Sequence, residues 1–281
     1  MERVYIVKGK EPYKATQELL DKMKFSLRNK KVFIKTNVHP AKLPSTDVRV
    51  IKAIVSRLSN CEILVGGNVG IMGKSFRINN YYDLIDYGVK LVDIDLQKKV
   101  YRKVKRPIRF EKIPIADCCF DCDYFINVSK LKIHNHAGVT MSLKNLFGCI
   151  PGTDKMLMHP HIDDAIHDYM QILKPNLNIV DGIVGGQNDE FYVIPKRSNI
   201  MIGGKDALSV DVVATRCMGV DPKEIEYLRL LNYKEDEIKV LGESISDVMK
   251  KYDRRIRPVR KIRNFMELGL RFMIKLNLIS R

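Results

Sequence analysis

Along the first two thirds of the chain, apolar residues switch between a period of two and a helical period, and each switch marks an element. Residues 3–8 are a short β-branched run, residues 15–24 have helical apolar spacing, and residues 31–35 form a second strand that runs into Lys35-Thr-Asn-Val-His-Pro40. The cycle then repeats. Pro44-Ser-Thr-Asp47 supplies capping chemistry for a helix to about residue 58, residues 61–65 make a strand leading to a glycine-rich turn, residues 81–87 a helix and residues 90–94 a strand. Between residues 97 and 114 the pattern degrades into a basic, proline-interrupted segment, a hairpin or an edge excursion.

Order returns at residue 123. A strand over 124–136, a short helix over 140–147, a loop to 160 and a helix over 162–173 are followed by a strand at 176–180 and a loop over 181–190. A strand at 199–202, a helix over 207–218 with Asp206 as its N-cap, two further helices and a short strand at 237–241 close the globular part. Strands alternating with helices predict an α/β protein with a mainly parallel sheet covered by helices on both faces. Residues 1–250 are expected to form this unit, in one lobe or in two around a cleft.

Residues 251–281 differ. From Arg254 to Arg281 there are nine Arg or Lys residues against one acid, Glu267, while Ile256, Val259, Ile262, Phe265, Met266, Leu270 and Met273 keep helical spacing. This is the pattern of a basic amphipathic helix, which suits an acidic membrane surface and equally suits docking on its own domain.

Composition adds a frame. With 281 residues, 45% of them hydrophobic and 29% charged, the chain is long enough to bury a large core. No apolar run approaches a membrane span, and the first residues lack the apolar stretch of a secretory signal. Six irregularly spaced cysteines do not make a disulfide framework, so a cytoplasmic location is expected. A formal charge of +16 favours anionic partners without ranking them. Nucleic acid is disfavoured, because no zinc finger, helix-turn-helix or aromatic RNA-binding signature is present.

The richest chemistry lies in Lys130-Leu-Lys-Ile-His-Asn-His136. On a strand, Lys130, Lys132, His134 and His136 share one face, and two ammonium groups beside two imidazoles call for an anion, a metal or an acidic neighbour. A solvated strand face would give the same pattern. Ligands of open α/β sheets bind beyond the carboxyl ends of strands, where Lys35, Asn37 and His39, the Lys/His segment and Asp181 all fall. One cleft collecting them would hold an anionic small molecule. Lys35, Lys130, Lys132 and Lys144 would meet its charge, Asn37, Thr140 and Asn145 would orient it, and His134, Lys132 and Asp181 would be the catalytic residues, His134 as general acid/base or metal ligand and Asp181 positioning or titrating a partner.

Five of the six histidines lie between His134 and His167, so a transition metal or metal-containing cofactor on His134, His136, His159 and His161 is a further expectation, although their spacing matches no defined zinc motif. The loop from Gly66 to Ser75 misses the phosphate-loop signature because Asn68 stands where its first glycine belongs. Cys118, Cys119, Cys122 and Cys149 read either as small buried residues or as an iron–sulfur ligand set for electron transfer. An enzyme is the leading reading. The rivals are a non-catalytic protein docked through its basic surface and tail, and an electron-transfer protein.

Taken together these residues resemble the domain of unknown function 362 family, through Lys35 and Asn37, Lys132 and His134, Thr140, and Lys144-Asn-Leu-Phe-Gly148. His159, Asp181-Gly182, Gly204-Lys-Asp-Ala207, Asp211, Ala214 and Gly219-Val-Asp-Pro222 are similar to its later blocks, so the resemblance spans about residues 3 to 245. Many members carry an added ferredoxin-like cassette that implies redox metabolism; this chain has no such Cys-x-x-Cys-x-x-Cys run. Gly185-Gly-Gln-Asn-Asp189 also departs from the family's usual Gly-x-Gly-Pro-like loop. In general plan the chain is similar, by analogy, to the nickel-pincer lactate racemase family, which uses Lys and His around a bound cofactor.

Overall fold

The computed structural model describes residues 1–39, 44–70, 73–188 and 193–254. The predicted basic helix of residues 255–281 therefore lies outside the described residues.

A ten-stranded sheet organises these residues. Its strands are β1 (Glu2–Lys8), β2 (Lys31–Thr36), β3 (Glu62–Gly67), β4 (Val89–Asp93), β5 (Tyr124–His134), β6 (Gly138–Thr140), β7 (Leu177–Gln187), β8 (Ile194–Lys196), β9 (Ile200–Gly204) and β10 (Ile238–Gly242). The spatial order is β10-β1-β9-β7-β5-β2-β3-β4, with β6 hairpinned onto β5 and β8 onto β7. Along that path only β9 is antiparallel to its neighbours, so β1, β2, β3, β4, β5, β7 and β10 all point the same way.

Helices cover both faces, as the alternating pattern predicts. Helices α1 (Pro12–Lys22) and α2 (Val48–Val55) bury one core with Val32, Ile34, Ile126, Val128 and Ile179. Helices α3 (Ser142–Leu146), α4 (Ile162–Tyr169) and α5 (Ala207–Cys217) bury the other with Phe33, Phe125, Leu131 and Ile202. Alternate residues of β2 and β5 thus point into different cores, which is the period of two at work.

Differences from the sequence reading have local causes. The strand expected over 124–136 ends at His134, because the turn to Gly138 (φ +77°) folds β6 back so that Thr140 faces Lys132. Residues 81–87 form a 3₁₀ helix, and the degraded segment is a separate hairpin of Lys99–Lys103 on Lys112–Ala116. Strand β7 runs seven residues beyond the expected end, through a bulge between Asp181 and Gly186.

Candidate functional site

A cleft of about 670 Å³ opens beyond the carboxyl ends of β2, β3 and β5. Lys35, Asn37, His39, Asn68, Lys132, His134, Thr140, Lys144, Asn145 and Lys155 line it, with Val38, Phe147, Gly148 and Val193 as apolar wall. Most of the sequence candidates therefore share one cavity.

At its floor lies Lys35, only 2% exposed. Its Nζ donates to the Thr36 carbonyl at 2.6 Å and to Asn145 Oδ1 at 3.4 Å, and no carboxylate stands within ion-pair distance among the described residues. Burial brings its pKa down to about 8, although the neighbouring Cys149 pulls the other way. Gly148 makes room for this side chain. A Cβ there would stand 2.5 Å from Asn68 Oδ1 and 2.9 Å from Lys35 Nζ, closer than real contacts allow.

A row of carboxamides backs the lysine. Asn145 Oδ1 also accepts from Asn37 Nδ2 (3.1 Å), Asn145 Nδ2 donates to Asn127 Oδ1 (2.8 Å), Asn127 Nδ2 to Asn178 Oδ1 (2.9 Å), and Asn178 Nδ2 to the Lys205 carbonyl (2.9 Å). Asn37 Oδ1 is buried and accepts no hydrogen bond among the described residues. Asn145 sits on α3, and the first turn of that helix is fixed by Asp211, whose carboxylate accepts Ser142 N–H (2.7 Å) and Leu143 N–H (2.9 Å). Burial pushes the Asp211 pKa up to about 7 against the pull of those amides.

His134 has a defined ring state. Its Nδ1 accepts the backbone N–H of His136 (3.1 Å) and of Ala137 (3.2 Å), so the proton of the neutral ring is on Nε2. A metal at Nε2 would need that proton moved to Nδ1, against two N–H donors. The rings of His134, His136 and His159 cluster, with centroids 4.9 to 5.9 Å apart. His161 Nε2 accepts from Arg109 at 2.8 Å. Among the described residues, no three His, Cys, Asp or Glu side chains are placed to hold a metal ion, and the same holds for the cysteines. Cys118, Cys119, Cys122 and Cys149 are free thiols; burial raises Cys119, while the hydrogen bond from Cys119 and the Lys35 charge bring Cys149 down against its own burial.

Lys130 and Asp181 are not among the residues lining the cleft. Lys130 Nζ and Asp181 Oδ2 form a buried ion pair at 2.7 Å, and the carboxylate also accepts Asp47 N–H (3.0 Å) and Ile183 N–H (3.1 Å), tying the start of α2 to β7. Their partners are structural. Asp95 and Lys155 are contributors the sequence reading missed: Asp95 accepts from Asn68 (3.1 Å), Gly152 N–H (3.0 Å) and Lys155 (2.9 Å) at the rim. Burial opposes its ionisation, but Lys155 and these donors hold the carboxyl below its ordinary range. No local pattern marks either residue.

The family model described as "Domain of unknown function (DUF362)" matches residues 32–216, which contain every residue named above as lining the cleft. The chain belongs to this family. A thylakoid-associated protein of Synechocystis sp. is 30% identical over 124 residues, covering 41% of this chain and 39% of that relative, so the chain spans about two fifths of the length of the curated relative it matches. Among solved structures, the lactate racemase apoprotein of Thermoanaerobacterium thermosaccharolyticum is similar with a TM-score of 0.47 at 13% identity, over 78% of this chain and 58% of that one. A Thermotoga maritima protein gives a TM-score of 0.46 at 12% identity, over 72% and 57%. Among the described residues no helix is long and apolar enough to cross a membrane.

Proposed function

We propose that this protein is an enzyme that binds an anionic small molecule in the Lys/His/Asn cleft. One observation carries the reading: the Lys35 ammonium is buried at the cleft floor with neutral oxygens as its hydrogen-bond partners and, among the described residues, no carboxylate within ion-pair distance. A buried charge left without a counter-charge costs several kcal/mol, so a fold that keeps one uses it. A carboxylate or phosphate above Lys35 supplies the missing charge. Lys132 and Lys144 add to the positive field, and Asn37, held by Asn145, offers a carboxamide to orient the ligand.

In this reading His134 is a neutral donor. Protonation at Nδ1 would oppose two backbone N–H groups, so the ring offers its Nε2–H to an oxygen that gains charge during reaction and does not act as the base. Lys35, with its pKa near 8, is the group that exchanges a proton near neutral pH. Asp181 works through Lys130 and α2, as a positioning residue.

Calorimetric titration with phosphate, pyrophosphate and malonate tests the proposal. Wild-type protein binds at least one of them, and Lys35→Met and Lys132→Ala lose that binding while remaining folded. Equal binding by wild type and Lys35→Met would overturn it.

A further inference from the structure

A second cavity, of about 780 Å³, lies at the opposite pole of the sheet. It sits at the amino ends of the parallel strands, beside Glu2 at the start of β1, Pro175 just before β7, and Lys205 just after the antiparallel β9. None of the residues that line it lines the cleft.

Its lining has two parts. Lys105, Arg106, Lys174 and Lys205 bring four cations from three separate segments, and none of them makes an ion pair among the described residues. Met170 and Leu208 supply half-buried apolar surface between them. Two acids also border the cavity, Glu2 and Asp206; the Asp206 carboxylate is occupied as the N-cap of α5, accepting Ser209 N–H at 2.7 Å and Ser209 Oγ–H at 2.6 Å. The cap leaves the first turn of an eleven-residue helix facing the same space through Ala207 and Leu208.

The loop that carries Lys105 and Arg106 is fixed rather than loose. Asp168, fully buried, accepts the backbone N–H groups of Ile108 (2.8 Å), Arg109 (2.9 Å) and Phe110 (2.7 Å). Gln171 accepts from Arg106 N–H (3.0 Å) and donates to Arg106 O (2.9 Å). Asp168, which also bonds His167 Nδ1 at 3.0 Å, thus holds two like charges of one loop beside two others, and the four cations outnumber the two bordering acids, a positive excess that an anion would offset.

We infer that this cavity is a second ligand site, for a small phosphorylated molecule that carries at least two negative charges and an apolar or aromatic body. The four cations and the first turn of α5 meet the phosphates, and Met170 and Leu208 meet the body. The site is independent of the cleft, so either assignment can fail without the other.

Hydrogen-exchange mass spectrometry on the full chain, with millimolar ADP as probe, separates the two sites by position. Protection of residues 104–108 and 205–210 is expected, surviving in Lys132→Ala and weakened in apparent affinity by roughly tenfold or more in Lys174→Ala/Lys205→Ala. ADP that protects nothing in these two segments, or protects only the cleft segments, would overturn the site. So would equal protection in the Lys174/Lys205 double variant, which circular dichroism must show to be folded.

Discussion

Lys35 Nζ lies 2.9 Å from the point where a side chain at Gly148 would begin. The two residues come from different elements, the end of β2 and the segment after α3, and the ammonium fits only because Gly148 carries no side chain. Gly148→Ala should displace the ammonium and the Asn68 carboxamide, both of which the new methyl would meet. Loss of anion binding by more than tenfold, with a fall in stability of about 1–3 kcal/mol, is the expected outcome in titration and denaturant melts.

Lys35 also sets a pH dependence. Its pKa is about 8 in the fold against 10.5 for an ordinary lysine, so the unfolded chain binds more protons between those values. Stability from this residue is fully present above pH 10.5 and is lost as pH falls through 8. Lys35→Met should remove that slope and stabilise the ligand-free protein at neutral pH by on the order of 1–3 kcal/mol. Anion binding by the wild type should weaken as pH rises through about 8, which calorimetry in buffers of different ionisation enthalpy would register as proton uptake on binding.

The buried Lys130–Asp181 pair makes a different prediction. Asp181→Ala leaves Lys130 without its counter-charge and frees the N–H of Asp47, so a loss of about 3–5 kcal/mol is expected in thermal or urea unfolding. Lys130→Met/Asp181→Leu should recover most of that loss. Unchanged stability of Asp181→Ala would show that the pair does not hold α2 to β7.

Asp211 tests the support of α3. Replacing it by Ala removes the acceptor for Ser142 and Leu143 N–H, at a cost of about 1–2 kcal/mol, and loosens the helix that presents Lys144 and Asn145. Asp211→Asn keeps one acceptor oxygen and should retain most of the anion affinity. Its raised pKa, near 7, gives a stability contribution fully present below pH 3.8 and lost as pH rises through 7, the opposite sense to Lys35, and Asp211→Asn should flatten it.

Much of this arrangement is legible in the chain. The shift between periods of two and of 3.6 residues gives the parallel sheet with two cores, and strand ends point to Lys35, Asn37, Lys132 and His134. The turn at Gly138 and the bulge beyond Asp181 are not legible, because they depend on which strands become neighbours. For the same reason sequence alone groups Lys130 with Lys132 as ligand contacts. Only the adjacency of β5 and β7 reveals that Lys130 has a carboxylate of its own, and only the packing of residues 95 and 155 near Asn68 brings the rim pair to the cleft.

The carboxamides of Asn145, Asn127 and Asn178 all donate in the same direction, away from Lys35 and toward the Lys205 carbonyl. Their dipoles therefore add head to tail, with the oxygen end of the row under the ammonium. Turning over any one of them would set amide against amide on one side and oxygen against oxygen on the other. The row behaves as a single polarised unit through the middle of the sheet, and exchanging one asparagine for aspartate would break its sense of direction as well as add a charge.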